Sequence, residues 1–351
     1  MNETVENRIL TVRKGHKDKI DMRKVVIVLI FSTYVFAAFS QGTNVYSFFV
    51  NFVNEDFKFP LIGFVNTAKG NHKGLQLGFV NTNTGNFSGL QAGFVNTIGG
   101  DLNNVQLSFL NTVTGDAKGL QAGFVNTTTG NLSATQLGFV NTAIKEAHGA
   151  QLGFINTTIQ GIDGLQLGFV NIARQKLKGV QLGFVNYTDN IEKGIPIGFL
   201  SFVRHGGYQA IEYGFSEFHP VTVGFKTGVE QFYTTLFLAY NPSDDFTRNR
   251  FAAGLGIGSI IPIKNAFFFN PELNSLTPLA KNNDRQLTSF IPFFGYNFNN
   301  HFSITAGPSV TWNYNYDNGD LLKPVFKIAN FEINDSHRIV VGARVGIRYR
   351  F

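Results

Sequence analysis

The phrase Gly63-Phe64-Val65-Asn66 occurs ten times at a spacing of 15 residues, restarting with small variations at Gly78, Gly93, Ser108, Gly123, Gly138, Gly153, Gly168, Gly183 and Gly198. No insertion or deletion interrupts it. The fuller unit, G-L-Q-L-G-F-V-N-T-x-T-G-N-x-x, is best seen from Gly74 to Ser88. A strict period this short implies one structural unit stacked on, or paired with, copies of itself. Such a pattern constrains architecture far more than it constrains ligand.

Within each unit Leu75, Leu77 and Phe79 alternate with Gln76 and Gly78, the period of a strand with one buried face. Thr84-Gly85-Asn86 and Thr114-Gly115-Asp116 are turn sequences between strands. Two architectures fit: a meander of antiparallel strands within one large barrel, or a solenoid in which each unit is a complete coil. Three features favour the solenoid. Barrel closure staggers the strands, so a meander predicts alternation at 30 residues, and none is visible. The position seven before the repeat Phe is apolar in the central units (Phe87, Leu102, Ala117, Leu132, Ala147, Ile162 and Leu177), with His72 and Glu192 in the outer copies. A corner at the Gly89-type residue would turn that position inward beside Leu90, Ala92 and Phe94. A meander strand would also present an apolar band only three side chains tall, thin against a hydrocarbon layer of roughly 25 Å.

The expected fold is therefore all-β: a solenoid of about ten coils stacked at about 4.8 Å, joined to a C-terminal antiparallel membrane barrel. Phe64 to Phe199 are predicted to stack inside. Asn66, Asn81, Asn96, Asn111, Asn126, Asn141, Asn156, Asn171 and Asn186 are predicted to form an asparagine ladder at a corner. Gln76, Gln91, Gln106, Gln121, Gln136, Gln151, Gln166 and Gln181 would then make an exposed amide row, a surface for a glycan or a protein partner.

After residue 201 the repeat ends and longer alternating runs begin. Phe251, Leu255 and Ile257 alternate with Gly254, Gly256 and Gly258, and Phe302 to Tyr316 continue the pattern. The chain ends with Ile339, Val341, Ala343, Val345, Ile347, Tyr349 and Phe351 on one parity, and Arg344, Arg348 and Arg350 on the other. Apolar residues alternating with small or polar ones over about ten positions describe transmembrane β-strands. Arg344, Arg348 and Arg350 become candidate lumen charges that need carboxylate partners.

The N-terminus predicts export. Met22-Arg23-Lys24 precedes an apolar run from Val25 to Phe39, and Ala38 and Ser40 are small. These features define a cleaved signal over 22–40, preceded by an extra leader at 1–21. The repeat domain then occupies 41–201 and the barrel domain 202–351. The formal charge of +6 carries little weight, because the first 40 residues hold seven Lys/Arg against four Asp/Glu, leaving 22 against 19. A nucleic-acid partner is not expected. With no Cys, neither a disulfide nor a lipidated cysteine is available.

The unit from Gly119 to Asn126 (G-L-Q-A-G-F-V-N) resembles the surface-repeat family of Gram-negative exported proteins. Residues 251–263, 290–316 and 339–351 resemble the small outer-membrane β-barrel superfamily, and the terminal strand ending in Phe351 resembles the signal read by barrel-assembly machinery. The resemblance implies an outer-membrane location, membrane lipid and the assembly machinery as partners, and no cofactor. No catalytic constellation stands out. Gly254 to Gly258 lacks the helix a nucleotide loop requires, and Glu212 and Glu217 form an acid–base pair only if geometry brings them together. The expected function is a non-enzymatic anchor carrying a repeat domain for surface contact or scaffolding. A channel is the alternative, with a barrel-embedded lipid hydrolase a distant third.

Overall fold

The structure is a computed structural model describing residues 44–242, 250–279, 285–316 and 321–351. The expected leader and signal lie outside the described residues. Among them all regular elements are strands, divided between a parallel solenoid of about nine turns and a closed antiparallel barrel of eight strands.

Identical positions pair in parallel at an offset of 15, as Gln121 does with Gln106 and Gln136, and Asn126 with Asn111 and Asn141. The single large meander barrel is thereby ruled out. Each central coil holds a six-residue strand, such as Leu102–Leu107, and a four-residue strand, such as Leu110–Val113. The last three coils fuse theirs into Ile162–Ala173 and the 29-residue Leu177–His205.

The seven apolar residues from Phe87 to Leu177 point inward as expected, facing Ile98, Val113, Ala143 and Ala173 across the interior. The rest of the predicted inside and outside is inverted. The Phe column lies outside, with Phe79 to Phe184 each 43–48 % exposed, and the Gln column is fully buried. The cause lies in strand Phe87–Ala92, whose alternation is unbroken: Phe87 and Gln91 share the inner face, so Leu90 and Ala92 must face out. Gly89 makes no face-reversing corner. It adopts φ +142°, a conformation that favours glycine, and a Cβ there would lie 1.8 Å from the carbonyl oxygen of Gly74.

The barrel strands are β1 (Tyr208–Phe215), β2 (Val221–Val229), β3 (Phe232–Tyr240), β4 (Phe251–Gly258), β5 (Phe267–Pro278), β6 (Arg285–Asn297), β7 (Phe302–Asn315) and β8 (His337–Arg350). Each pairs with its neighbour, and β8 closes on β1. Two short strands, Ile261–Lys264 and Ala329–Asn334, extend hairpins outside this ring. Register from Glu212 runs through Gly224, Phe237, Gly254, Leu276, Leu287 and Asn313 to Arg338. Glu212 itself pairs with Arg348, ten residues past Arg338. A stagger of ten over eight strands tilts them by roughly 40°, and β5 to β8 are long enough at that tilt to cross a hydrocarbon layer.

The two parts meet on the barrel's outer wall. Thr227 Oγ1 donates to the Ser201 carbonyl at 2.5 Å, and Thr234 Oγ1 to the Phe199 carbonyl at 3.0 Å. Thr227 and Val229 have outward parity on β2 yet are buried, because the end of strand Leu177–His205 covers them.

Candidate functional site

Three arrangements could carry function: the amide interior of the solenoid, its aromatic outer face, and the barrel lumen. The predicted asparagine ladder forms along its full length. Each Nδ2 from Asn66 to Asn171 donates to Oδ1 of the Asn one coil on, at 2.7–3.2 Å. Each also donates to a carbonyl 11 residues ahead, as Asn126 does to Leu137 at 2.8 Å. Two members escaped the sequence reading. Asn51 adds a rung by donating to Asn66 at 2.8 Å, and Ser201 Oγ accepts from Asn186 at 3.3 Å. Phe49-Val50-Asn51 keeps the period, but Phe48 replaces the expected Gly and hid it.

The glutamines form a second ladder, running the opposite way. Each Nε2 from Gln91 to Gln181 donates to Oε1 of the preceding coil at 2.7–3.0 Å. An amide is tolerated in this dry interior because its copy in the next coil completes it. The ladder stops where Leu61 and Pro196 replace Gln, leaving Gln76 Nε2 and Gln181 Oε1 without partners. Buried in this way, the glutamines cannot serve as a ligand row.

His72 begins the inner column, with its Nε2 2.9 Å from the Phe59 carbonyl. Burial holds its pKa below the ordinary 6.5. A base whose folded pKa is depressed stabilises the fold fully above its unfolded value, and the contribution fades as pH falls from about 6.5 through the lower folded value. The protection factors of amides in strand His72–Leu77, corrected for the intrinsic pH dependence of exchange, should therefore fall on acidification through that window. The substitution His72→Phe, which copies Phe87 one coil on, should flatten this dependence; an unchanged pH profile would contradict it.

Outside, ten Phe rings from Phe64 to Phe199 stack with centroids 4.6–5.1 Å apart and planes within 6°. The column is flanked by the half-exposed Leu75, Leu77 and Val80 positions of successive coils. Together they form a continuous apolar face on the order of 44 Å long at the spacing of parallel strands, larger than ordinary monomer surfaces expose.

The barrel lumen brings together two of the three candidate arginines. Arg348 donates to Glu212 at 2.6 and 2.8 Å and to Asn270 at 2.8 Å, with Glu272 at 3.4 Å. Lys226 Nζ lies 2.5 Å from Glu272 and 3.3 Å from Glu212, and Tyr233 donates to Glu272 at 2.6 Å. Two cations thus face two carboxylates, all buried, so the cluster balances its charge. One layer along, Arg344 pairs with Glu217 at 3.3 Å and donates to Ser289 at 2.6 Å, while Thr311 donates to Glu217 at 2.5 Å. Arg350 sits half-exposed at the mouth with Glu230, 2.5 Å away. Glu212 and Glu217 each belong to a different arginine and form no acid–base pair. Gly256 and Gly258 face the same interior, where an added Cβ would meet Asn274 Oδ1 and the Tyr233 hydroxyl at 2.0 and 2.5 Å.

Sequence reasoning missed Lys226, Glu272 and Tyr233. Their signal was polar or charged residues at lumen parity between apolar ones, as with Asn270, Glu272 and Asn274 in one strand. A recess of about 730 Å³ opens at the mouth, lined by Tyr208, Glu230, Phe268, His301, Arg348 and Arg350 among others. No protein-family model matches the chain, and none of the curated proteins or solved structures compared with it matches either.

Proposed function

We propose that this protein is an exported, non-enzymatic outer-membrane protein, in which a closed barrel anchors a rigid solenoid used for surface contact or scaffolding. The observation that carries this reading is the inside-out polarity of the barrel. Its outer wall exposes Leu238, Leu255, Ile257, Phe290, Phe294, Trp312 and Ile347, while Lys226, Glu212, Glu272 and Arg348 are buried within. A water-soluble protein would bury the first set; a lipid-facing barrel has reason to expose it. The signal-like segment at 22–40 and the resemblance of the repeats to exported surface proteins point the same way.

The channel alternative is disfavoured by the contents of the lumen. Arg348, Lys226 and their carboxylates bridge the interior from β1, β2, β5 and β8, occupying the cross-section an ion would need. Purified protein folded into detergent should migrate faster unheated than boiled on a gel, as intact barrels do. The same preparation should give no steady conductance in planar bilayers. Ohmic single-channel steps from the folded fraction would restore the channel, and failure to incorporate into bilayers at all would sink the membrane assignment.

A further inference from the structure

We propose that the exposed Phe column is a second membrane-contacting surface, which lies in the headgroup–acyl boundary of the periplasmic leaflet beside the barrel. The proposal rests on the outer-membrane reading above and adds to it the occupant of the solenoid face and the side of the membrane on which the repeats lie.

Continuity is the first argument. The column ends at Phe199, which shares a surface recess of about 530 Å³ with Phe232, Leu255, Ile257 and Leu273 of the barrel's outer wall. Leu255, Ile257 and Leu273 belong to the band that the barrel presents to lipid, each 43–48 % exposed. The apolar exterior of the barrel therefore continues onto the Phe rings of the solenoid across a mainly apolar recess, in which the hydroxyl of Thr234 is taken up by the Phe199 carbonyl. Whatever solvates the one at that junction solvates the other.

Topology sets the side. The solenoid enters beside the start of β1 and packs on the β2–β3 hairpin, whose turn is only residues 230–231. The other links at that end span 259–266 and 298–301, and the chain terminus lies there too. At the opposite end the links span 216–220, 241–250, 279–284 and 316–336. In outer-membrane barrels the short turns are periplasmic and the long loops extracellular. Phe199 thus meets the wall at the periplasmic rim.

Chemistry sets the depth. On the outer surface of the coils, the column two positions before the Leu75 column carries five lysines, Lys58, Lys73, Lys118, Lys178 and Lys193, against one acid, Asp163, with Ser, Asn or His at the other four places. Apolar rings bordered by lysine stems suit an interfacial surface, with the rings among the upper acyl chains and the ammonium groups at headgroup phosphates. A second copy of the chain would bury the rings but would set the two lysine columns near each other.

The full-length double variant Trp312→Phe/Phe124→Trp, reconstituted in phospholipid bilayers with brominated acyl chains, places one indole reporter on the solenoid face. The wild type, whose only tryptophan is Trp312, reports on the barrel wall. Circular dichroism and unheated gel mobility matching wild type establish that the variant is folded. Quenching of the introduced indole to at least half the extent of Trp312, strongest for bromines near the headgroups, is the expected result. Trp312 quenched in the wild type, with the solenoid indole of the variant untouched, overturns this proposal while leaving the barrel in the membrane. Neither quenched overturns the outer-membrane reading and this proposal with it. A solenoid indole shielded from both lipid and water, with a dimer in sedimentation, assigns the face to a second copy and overturns the lipid.

Discussion

Replacing Glu272 by alanine is expected to lower the stability of the folded barrel by about 3–5 kcal/mol, the range for removing one partner of a buried ion pair. Glu272 takes Lys226 at 2.5 Å and the Tyr233 hydroxyl at 2.6 Å. Without it two buried cations share Glu212 alone, and the charge balance of the lumen is lost. The loss comes mainly from the desolvated charge left behind, not from a large net contribution of the pair. A compensated variant, Lys226→Met/Glu272→Leu, removes one charge of each sign, and should recover most of the loss. Urea unfolding in detergent micelles, followed by unheated gel mobility, reads both. If the double variant is as unstable as Glu272→Ala, the cluster is more than a neutral filling of the lumen, and a role in binding would have to be sought there.

The sequence made the architecture legible and left one sign open. Exact repetition at 15 with no alternation at 30 pointed to a stacked coil, and the asparagines fell where a ladder was expected. Period-2 alternation identifies two faces without saying which is inside. Hydrophobicity assigned Leu75, Leu77 and Phe79 to the interior, and that assignment was inverted. Glutamine in a buried column is normally prohibitive; it becomes acceptable only when every copy finds its neighbour at the same height. That condition is a property of the assembled stack and of no single unit. The apolar column from Phe87 to Leu177 was the clue that should have won, since it shares parity with Gln91 and opposes Phe94.

In the barrel, Arg344 and Arg348 were visible because β8 alternates so cleanly. Their partners were not, since Glu217 and Glu212 lie 127 and 136 residues away in sequence. Only the register of β8 on β1 brings Arg348 opposite Glu212. Long-range ion pairs of this kind follow from strand order and stagger, which periodicity within one strand does not encode. The same separation explains why Lys226 and Glu272, lone charges in β2 and β5, carried no meaning until the barrel closed.

The second large effect belongs to the solenoid, where adding one carbon should do more damage than removing 30 residues. At Gly138 an added Cβ would lie 2.3 Å from the Gly123 carbonyl and 2.6 Å from Asn126 Nδ2. The first contact is with backbone, which can yield only by widening the spacing between coils. Widening strains the bond from Gly123 N to the Leu137 carbonyl, now 2.9 Å, and the Asn126 to Asn141 rung at 2.9 Å. Ser108 holds a Cβ at the equivalent position, where the Asn96 to Asn111 rung lengthens to 3.2 Å, so Gly138→Ala should destabilise the neighbouring coils by about 1 kcal/mol, at the lower end for overpacking. Amide exchange in strands Leu132–Leu137 and Val140–Ala143 would then be roughly fivefold faster, since each 1.4 kcal/mol is a factor of ten. Ser133→Ala, at an exposed position in the same coil, should stay within about 0.5 kcal/mol of wild type. Deleting residues 116–145 removes two whole periods, and joins Gly115 to Glu146 with every ladder still in register. In a one-dimensional stack each coil contacts only its neighbours, so the shortened solenoid should keep wild-type exchange rates and leave the barrel folded. A deletion that unfolds the barrel, or a Gly138→Ala variant indistinguishable from Ser133→Ala, would show that spacing between identical coils is not what holds this structure together.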